Sequence, residues 1–137
     1  MIAEEKSLLL RDLCARLPYG VNAEGEYEED VDYNNPFPRI EKSIGHIDGI
    51  DHIGFDDGEV YVTIEGIPCE LSYVKPYLRP MSNMTDEEDK EFREIKQSYY
   101  FDEDGYILFE WLNKKMFDYR GLIPMGLALE ALEGMYK

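Results

Sequence analysis

The apolar residues of this chain change their spacing twice, and that switch restricts its possible folds more than any other feature. Near the N-terminus Leu10, Leu13, Cys14 and Leu17 recur at helical intervals, with Leu9 widening the stripe. In the middle, Val60, Val62 and Ile64 alternate with Tyr61, Thr63 and Glu65, the two-residue period of a strand with one buried face. Past position 85 the spacing is helical again. Phe92, Ile95 and Tyr99 form one stripe there, and Ile107, Leu108, Trp111 and Leu112 another. Helix, strands and helices in separate blocks specify the α+β class.

Local signals set the expected boundaries. The first helix runs from Ile2 to Leu17, with Glu4 and Glu5 in its first turn and Arg16 in its last, as the helix dipole favours. Pro18 and Gly20 stop it. From Gly20 to about Leu78 a small, bent antiparallel sheet is expected, a partial barrel of the SH3-like kind. Gly20–Tyr27 supplies an edge strand and Ile44–Phe55 a hairpin arm that turns at Asp57-Gly58 into Val60–Ile64. A turn at Gly66-Ile67-Pro68 then leads into a strand from Cys69 to Val74. Glycines 45, 49 and 54 permit the bends that closure needs. Between Glu24 and Pro38 the sequence reads as an acidic loop. Thr85-Asp86-Glu87-Glu88 is a capping box that opens a helix, a second helix is expected over Gly105–Met116, and Leu127–Leu132 suits one more short turn or helix.

The length suits one domain over residues 1–137, with a helix at 1–18, a sheet at 20–78 and a helical part at 85–133. Thirty acidic side chains against fourteen basic ones leave a formal charge of -16. Such a balance argues against direct binding to nucleic acid or an anionic membrane, because like charges repel over roughly 8–10 Å at ordinary salt. Apolar runs such as Leu8-Leu9-Leu10 are too short to span a bilayer. The opening Met1-Ile2-Ala3-Glu4-Glu5-Lys6 lacks the pattern of a signal peptide. Cys14 and Cys69 have no metal-type spacing and fit a reducing cytoplasm, each as a small buried hydrophobe. Cys14 falls on the apolar stripe, where burial would raise its thiol pKa rather than activate it.

Two constellations carry chemistry. In the first, Glu24, Glu26, Tyr27, Glu28, Glu29, Asp30, Asp32 and Tyr33 join six carboxylates with two tyrosines and no basic residue. Alternate residues on an extended strand advance about 6.6 Å, close to two steps of about 3.4 Å along one DNA strand. Glu24, Glu26 and Glu28, if extended, would form a phosphate-like row. In the second, His46, Asp48 and His52 would share one face of a regular strand, and two imidazoles with a carboxylate suit zinc or non-haem iron. Gly49 breaks that register in the alternative reading, which leaves a polar face opposite Ile47 and Ile53. Asp102-Glu103-Asp104-Gly105 lacks the continuation of a calcium loop. No nucleophile elbow, P-loop or dinucleotide fingerprint is present. Eleven tyrosines, with Tyr99-Tyr100-Phe101 before the last helix, point to at least one exposed aromatic patch near the acidic stretch.

Three further stretches belong together: Asp12-Leu13-Cys14-Ala15-Arg16-Leu17-Pro18-Tyr19-Gly20-Val21, Val74-Lys75-Pro76-Tyr77-Leu78-Arg79-Pro80-Met81-Ser82 and Phe117-Asp118-Tyr119-Arg120-Gly121-Leu122-Ile123. With them the chain resembles a group of small uncharacterised proteins encoded in genomes, prophages and mobile elements of gut anaerobic bacteria. That group has no assigned activity, so no functional residue carries over. The resemblance implies a cytoplasmic accessory protein borne by a phage or mobile element.

Together these features lead to the expectation of a non-catalytic acidic protein without a cofactor, which binds a host protein that presents a basic surface. Its sharpest form is a nucleic-acid mimic that inhibits a nuclease or defence complex. The competing expectation is a metal-binding module or metal-dependent enzyme built on His46, Asp48 and His52.

Overall fold

The structure is a computed structural model that describes residues 1–29, 34, 37, 39–52, 59–98 and 105–136, with the side chain of His52 excepted. The chain divides into two compact units, Met1–Tyr77 and Leu78–Lys137, and its class is α+β.

The first unit opens with helix α1, Ala3–Arg16, followed by a 3-10 turn at Leu17–Tyr19 that ends on Gly20 in the left-handed region. Its strands are β1 (Asn22–Glu29), β2 (Arg39–His52), β3 (Val60–Ile64), β4 (Ile67–Glu70) and β5 (Val74–Leu78), whose last residue begins the second unit. They hydrogen-bond in the order β4-β3-β2-β1-β5, each pair antiparallel. The sheet is bent as expected, and Gly25 shows how tightly. A Cβ on that residue would lie 2.8 Å from Cys69 Sγ and 2.8 Å from Ile64 Cδ1, so the curl brings β4 against β1 without hydrogen-bonding them. Ala23, Val62, Ile64, Cys69, Leu71 and Val74 fill the interior.

Several expected boundaries need correction. The stretch from Glu24 to Glu29 is not loop: it is the body of β1, paired residue for residue with β2 over Asn22–Glu29. Cross-strand hydrogen bonding overrides the low strand propensity of glutamate there. Nor is β1 an edge strand, because β5 pairs with its other side over Ala23–Gly25. Strand β2 begins at Arg39 rather than Ile44. The turn after β3 is Glu65-Gly66, both at positive φ, so Ile67 and Pro68 already lie in β4. That strand ends at Glu70, a 3-10 turn covers Leu71–Tyr73, and β5 follows. The expected turn at Asp57-Gly58, residue Gly54, the cluster Tyr99-Tyr100-Phe101 and the acids Asp102-Glu103-Asp104 lie outside the described residues.

Helix α1 is rotated relative to the expected stripe. Its buried residues are Leu9, Asp12, Leu13 and Arg16, while Cys14 is exposed. Cys14 is therefore no core cysteine, and only Cys69 is buried as foreseen. An ion pair between Asp12 and Arg16 occupies core-facing positions one turn apart, a solution that an apolar count does not find.

In the second unit, helix α2 spans Asp86–Gln97 and begins as the sequence states. Thr85 Oγ1 accepts from the Glu88 N–H at 3.1 Å, and Glu88 Oε1 accepts from the Thr85 N–H at 3.0 Å. Helix α3, Tyr106–Lys114, is shorter than expected, and Ile107 is 58% exposed rather than on its buried face. Trp111 stacks against Phe92 and Phe117, with its indole N–H on Glu91 at 2.9 Å. Asp118 is buried and accepts from the Leu122 and Ile123 N–H groups at 2.8 and 2.9 Å. Residues 127–132 are no helix. They hold a two-residue strand, β6 (Leu129–Glu130), and the Ala131 N–H donates to the Leu78 carbonyl at 2.8 Å. No helix among the described residues is long and apolar enough to cross a membrane.

Candidate binding face

Strand β1 turns the acidic stretch into two faces. Side chains alternate along a strand, so Glu24, Glu26 and Glu28 share one side, and Ala23, Gly25, Tyr27 and Glu29 share the other. The register sets Ile44, Lys42 and Ile40 of β2 opposite those three glutamates, with Lys75 of β5 across from Glu24. Glu26, Glu28, Lys42 and Lys75 are exposed, as are Ile40 and Ile44 at 62% and 54%. Carboxylates, ammonium groups and bare β-branched side chains thus share one surface.

Charge is unevenly spent across it. In register Lys42 stands opposite Glu26, yet its Nζ lies 2.8 Å from Glu24 Oε1. Tyr77 Oη donates to the other oxygen of Glu24 at 3.2 Å. The hydrogen bond from Lys42 holds the Glu24 carboxyl below its ordinary pKa, and Glu24 in turn raises that of Lys42. Partial burial, and then the charge of Glu24, push the Tyr77 phenol upward. Glu24 is a neutralised anchor, and the row of exposed carboxylates shortens to Glu26 and Glu28. On the opposite side Tyr27 is half-buried, and Glu29 meets Arg39 at 2.8 Å. Asp30, Asp32 and Tyr33 lie outside the described residues.

A residue inversion in β2 hid part of this surface from pattern reading. Along Ile40-Glu41-Lys42-Ser43-Ile44 the isoleucines face solvent, while Ser43 is buried and donates to the Ile64 carbonyl at 2.9 Å. Ser43 stands opposite Gly25 in the register, where the curled sheet leaves space for small residues. Cross-strand neighbours, rather than hydropathy, choose the face.

The other constellation comes apart at a β-bulge. Ile47 pairs with Ile64 and Gly49 with Thr63, so Asp48 is the extra residue and the alternation from His46 onward is interrupted. Asp48 Oδ2 accepts from the Gly66 N–H at 2.6 Å, and the His46 N–H donates to Glu65 Oε1 at 2.9 Å. Both carboxylates brace the Glu65-Gly66 turn. No group of three His, Cys, Asp or Glu side chains that could hold a metal occurs among the described residues, and the side chain of His52 lies outside them. No protein-family model, curated protein or solved structure matches this chain.

Proposed function

We propose that this is a non-catalytic acidic binding protein, carried by a phage or mobile element, that docks on a basic surface of a host protein. The observation that carries the reading is the outward face of β1 and β2, where exposed Glu26 and Glu28 border exposed Ile40 and Ile44. Carboxylates steer a basic partner and set its register, whereas desolvation of the isoleucines supplies affinity. The overall charge of -16 extends the steering beyond this face.

Nucleic-acid mimicry is the narrower form of the same idea, and it needs a longer row. With Glu24 held by Lys42 and Tyr77, two exposed carboxylates separated by about 6.6 Å remain on this face of the strand. The broader reading, recognition of a basic protein surface, is the one we adopt.

Affinity capture from host lysate over a salt series tests it, with wild type beside Glu26→Gln/Glu28→Gln and Ile40→Ser/Ile44→Ser variants of unchanged circular dichroism. Retention of a basic protein that weakens with salt and is lost in both variants supports the proposal. Equal retention by wild type and both variants, or none at low salt, refutes it.

A further inference from the structure

The Glu26–Glu29 end of the same strand, with side chains from both of its faces, borders a cleft of about 680 Å³, within the range of roughly 300–1,000 Å³ usual for ligand sites. Its walls hold three tyrosines, Tyr27, Tyr61 and Tyr73, and the carboxylates of Glu26, Glu28, Glu29 and Glu70, with no Lys, Arg or His among the described lining residues. Tyr73 is 56% exposed, and Tyr27 and Tyr61 are half-buried.

Topology explains why the cleft is open. Strand β5 pairs with β1 only as far as Gly25, so from Glu26 to Glu29 that edge of β1 has no strand beside it among the described residues. Across the cleft, β4 is paired by β3 alone. The 3-10 turn at Leu71–Tyr73 brings Tyr73 to its rim. Two strand edges therefore flank an aromatic, acidic hollow.

Each component narrows the occupant. Tyrosine faces attract a cation positioned over the ring, and arginine also stacks flat upon them. Lining carboxylates match a guanidinium, which forks onto them. An open edge offers backbone donors and acceptors that an extended chain can meet by adding a strand. A free polyamine would satisfy the carboxylates and leave the edge N–H groups without acceptors. Arg39, which holds Glu29 at 2.8 Å, is the internal competitor that an incoming guanidinium would displace or join.

We propose that this cleft is a docking site for an extended basic segment of a partner protein, which lies along the Glu26–Glu29 edge and lodges an arginine among Tyr27, Tyr61 and Tyr73. The proposal rests on the basic-partner reading above and deepens it, since Glu26, Glu28 and Ile40 of the exposed face also border the cleft.

The test uses the full chain, isotope-labelled, titrated at low salt with a capped hexapeptide of alternating Arg and Thr. Parallel arms replace Arg by citrulline, or the peptide by free spermine. Backbone shifts at Glu26–Glu29 with ring shifts of the three tyrosines are expected, together with loss of binding to the citrulline peptide. Tyr73→Ala, exposed and so tolerant of truncation, should weaken the peptide by roughly 3- to 30-fold, the scale of a cation–π contact. Spermine that reproduces the same shifts with equal affinity would overturn a polypeptide occupant. Peptide binding that is unchanged by Tyr73→Ala and produces no ring shifts at Tyr27 and Tyr61 would overturn the cleft and leave the exposed acidic face standing. Failure of the Arg peptide to bind at all would remove the cleft, while lysate capture decides the broader reading separately.

Discussion

Asp12 and Arg16 meet in a two-pronged fork within helix α1, Nε to Oδ2 at 2.9 Å and Nη2 to Oδ1 at 3.0 Å, with both side chains wholly withdrawn from solvent. A charge pair in that setting stabilises little on its own, because desolvation opposes the attraction. Removing one partner is another matter. Asp12→Ala removes the carboxylate that holds a buried guanidinium and is expected to cost about 3–5 kcal/mol. Urea denaturation of the purified variant measures this, and a loss below about 1 kcal/mol would place the pair outside any buried setting.

Arg79 and Glu88 form the corresponding fork in the second unit, at 2.8 and 2.7 Å. The Arg79 guanidinium, helped by the Thr85 cap, draws the Glu88 carboxyl from 4.5 down to about 2. A folded pKa below the unfolded one means stability that is fully present above about pH 4.5 and lost as pH falls toward 2. The contribution is at most about 3 kcal/mol. Denaturation midpoints measured from pH 6 to 2 should fall more steeply for wild type than for Glu88→Gln, which is less stable at neutral pH and flatter in acid.

Gly25 is irreplaceable for a steric reason. A methyl group there would be 2.8 Å from Cys69 Sγ and from Ile64 Cδ1. Gly25→Ala should lose about 1–3 kcal/mol, the usual range for overpacking. Adding Cys69→Ala removes one of the two clashing atoms and should restore part of that loss. Thermal melts of the single and double variants decide it; a Gly25→Ala protein as stable as wild type would mean that the sheet is less curled.

The two thiols should react at different rates. Cys14 is exposed, whereas Cys69 is buried and desolvation raises its pKa. A chromogenic disulfide reagent should therefore modify one thiol per native chain quickly and the second only on unfolding. Cys14→Ser should abolish the fast phase. A fast phase that survives this change would assign it to Cys69.

Much of the fold can be read directly from residue order, in places where neighbours along the chain supply the physics. The capping box at Thr85 formed atom for atom, since both of its hydrogen bonds are local. The alternation of Val60–Ile64 placed Val62 and Ile64 inside, because a strand has only two faces. Pro18 and Gly20 ended the first helix within a residue of expectation. The Gly49 region did interrupt the register, as a bulge at Asp48.

What the chain order could not reveal depended on partners distant in sequence. Glu24–Glu29 looks like a solvated loop until β2 supplies its hydrogen bonds. The face bearing Ile40 and Ile44 looks like core until Gly25 and Ser43 are found to fill the narrow interior. The neutralisation of Glu24 requires Lys42 and Tyr77, which lie 18 and 53 positions away. Residue order alone thus determined the α+β class, the Thr85 cap, the strand periodicity and the acidic balance, since these follow from local geometry and composition. Tertiary structure decided which charges remain exposed, which apolar residues face outward and where a cleft stays open, since each depends on strand register and sheet curl that join distant residues.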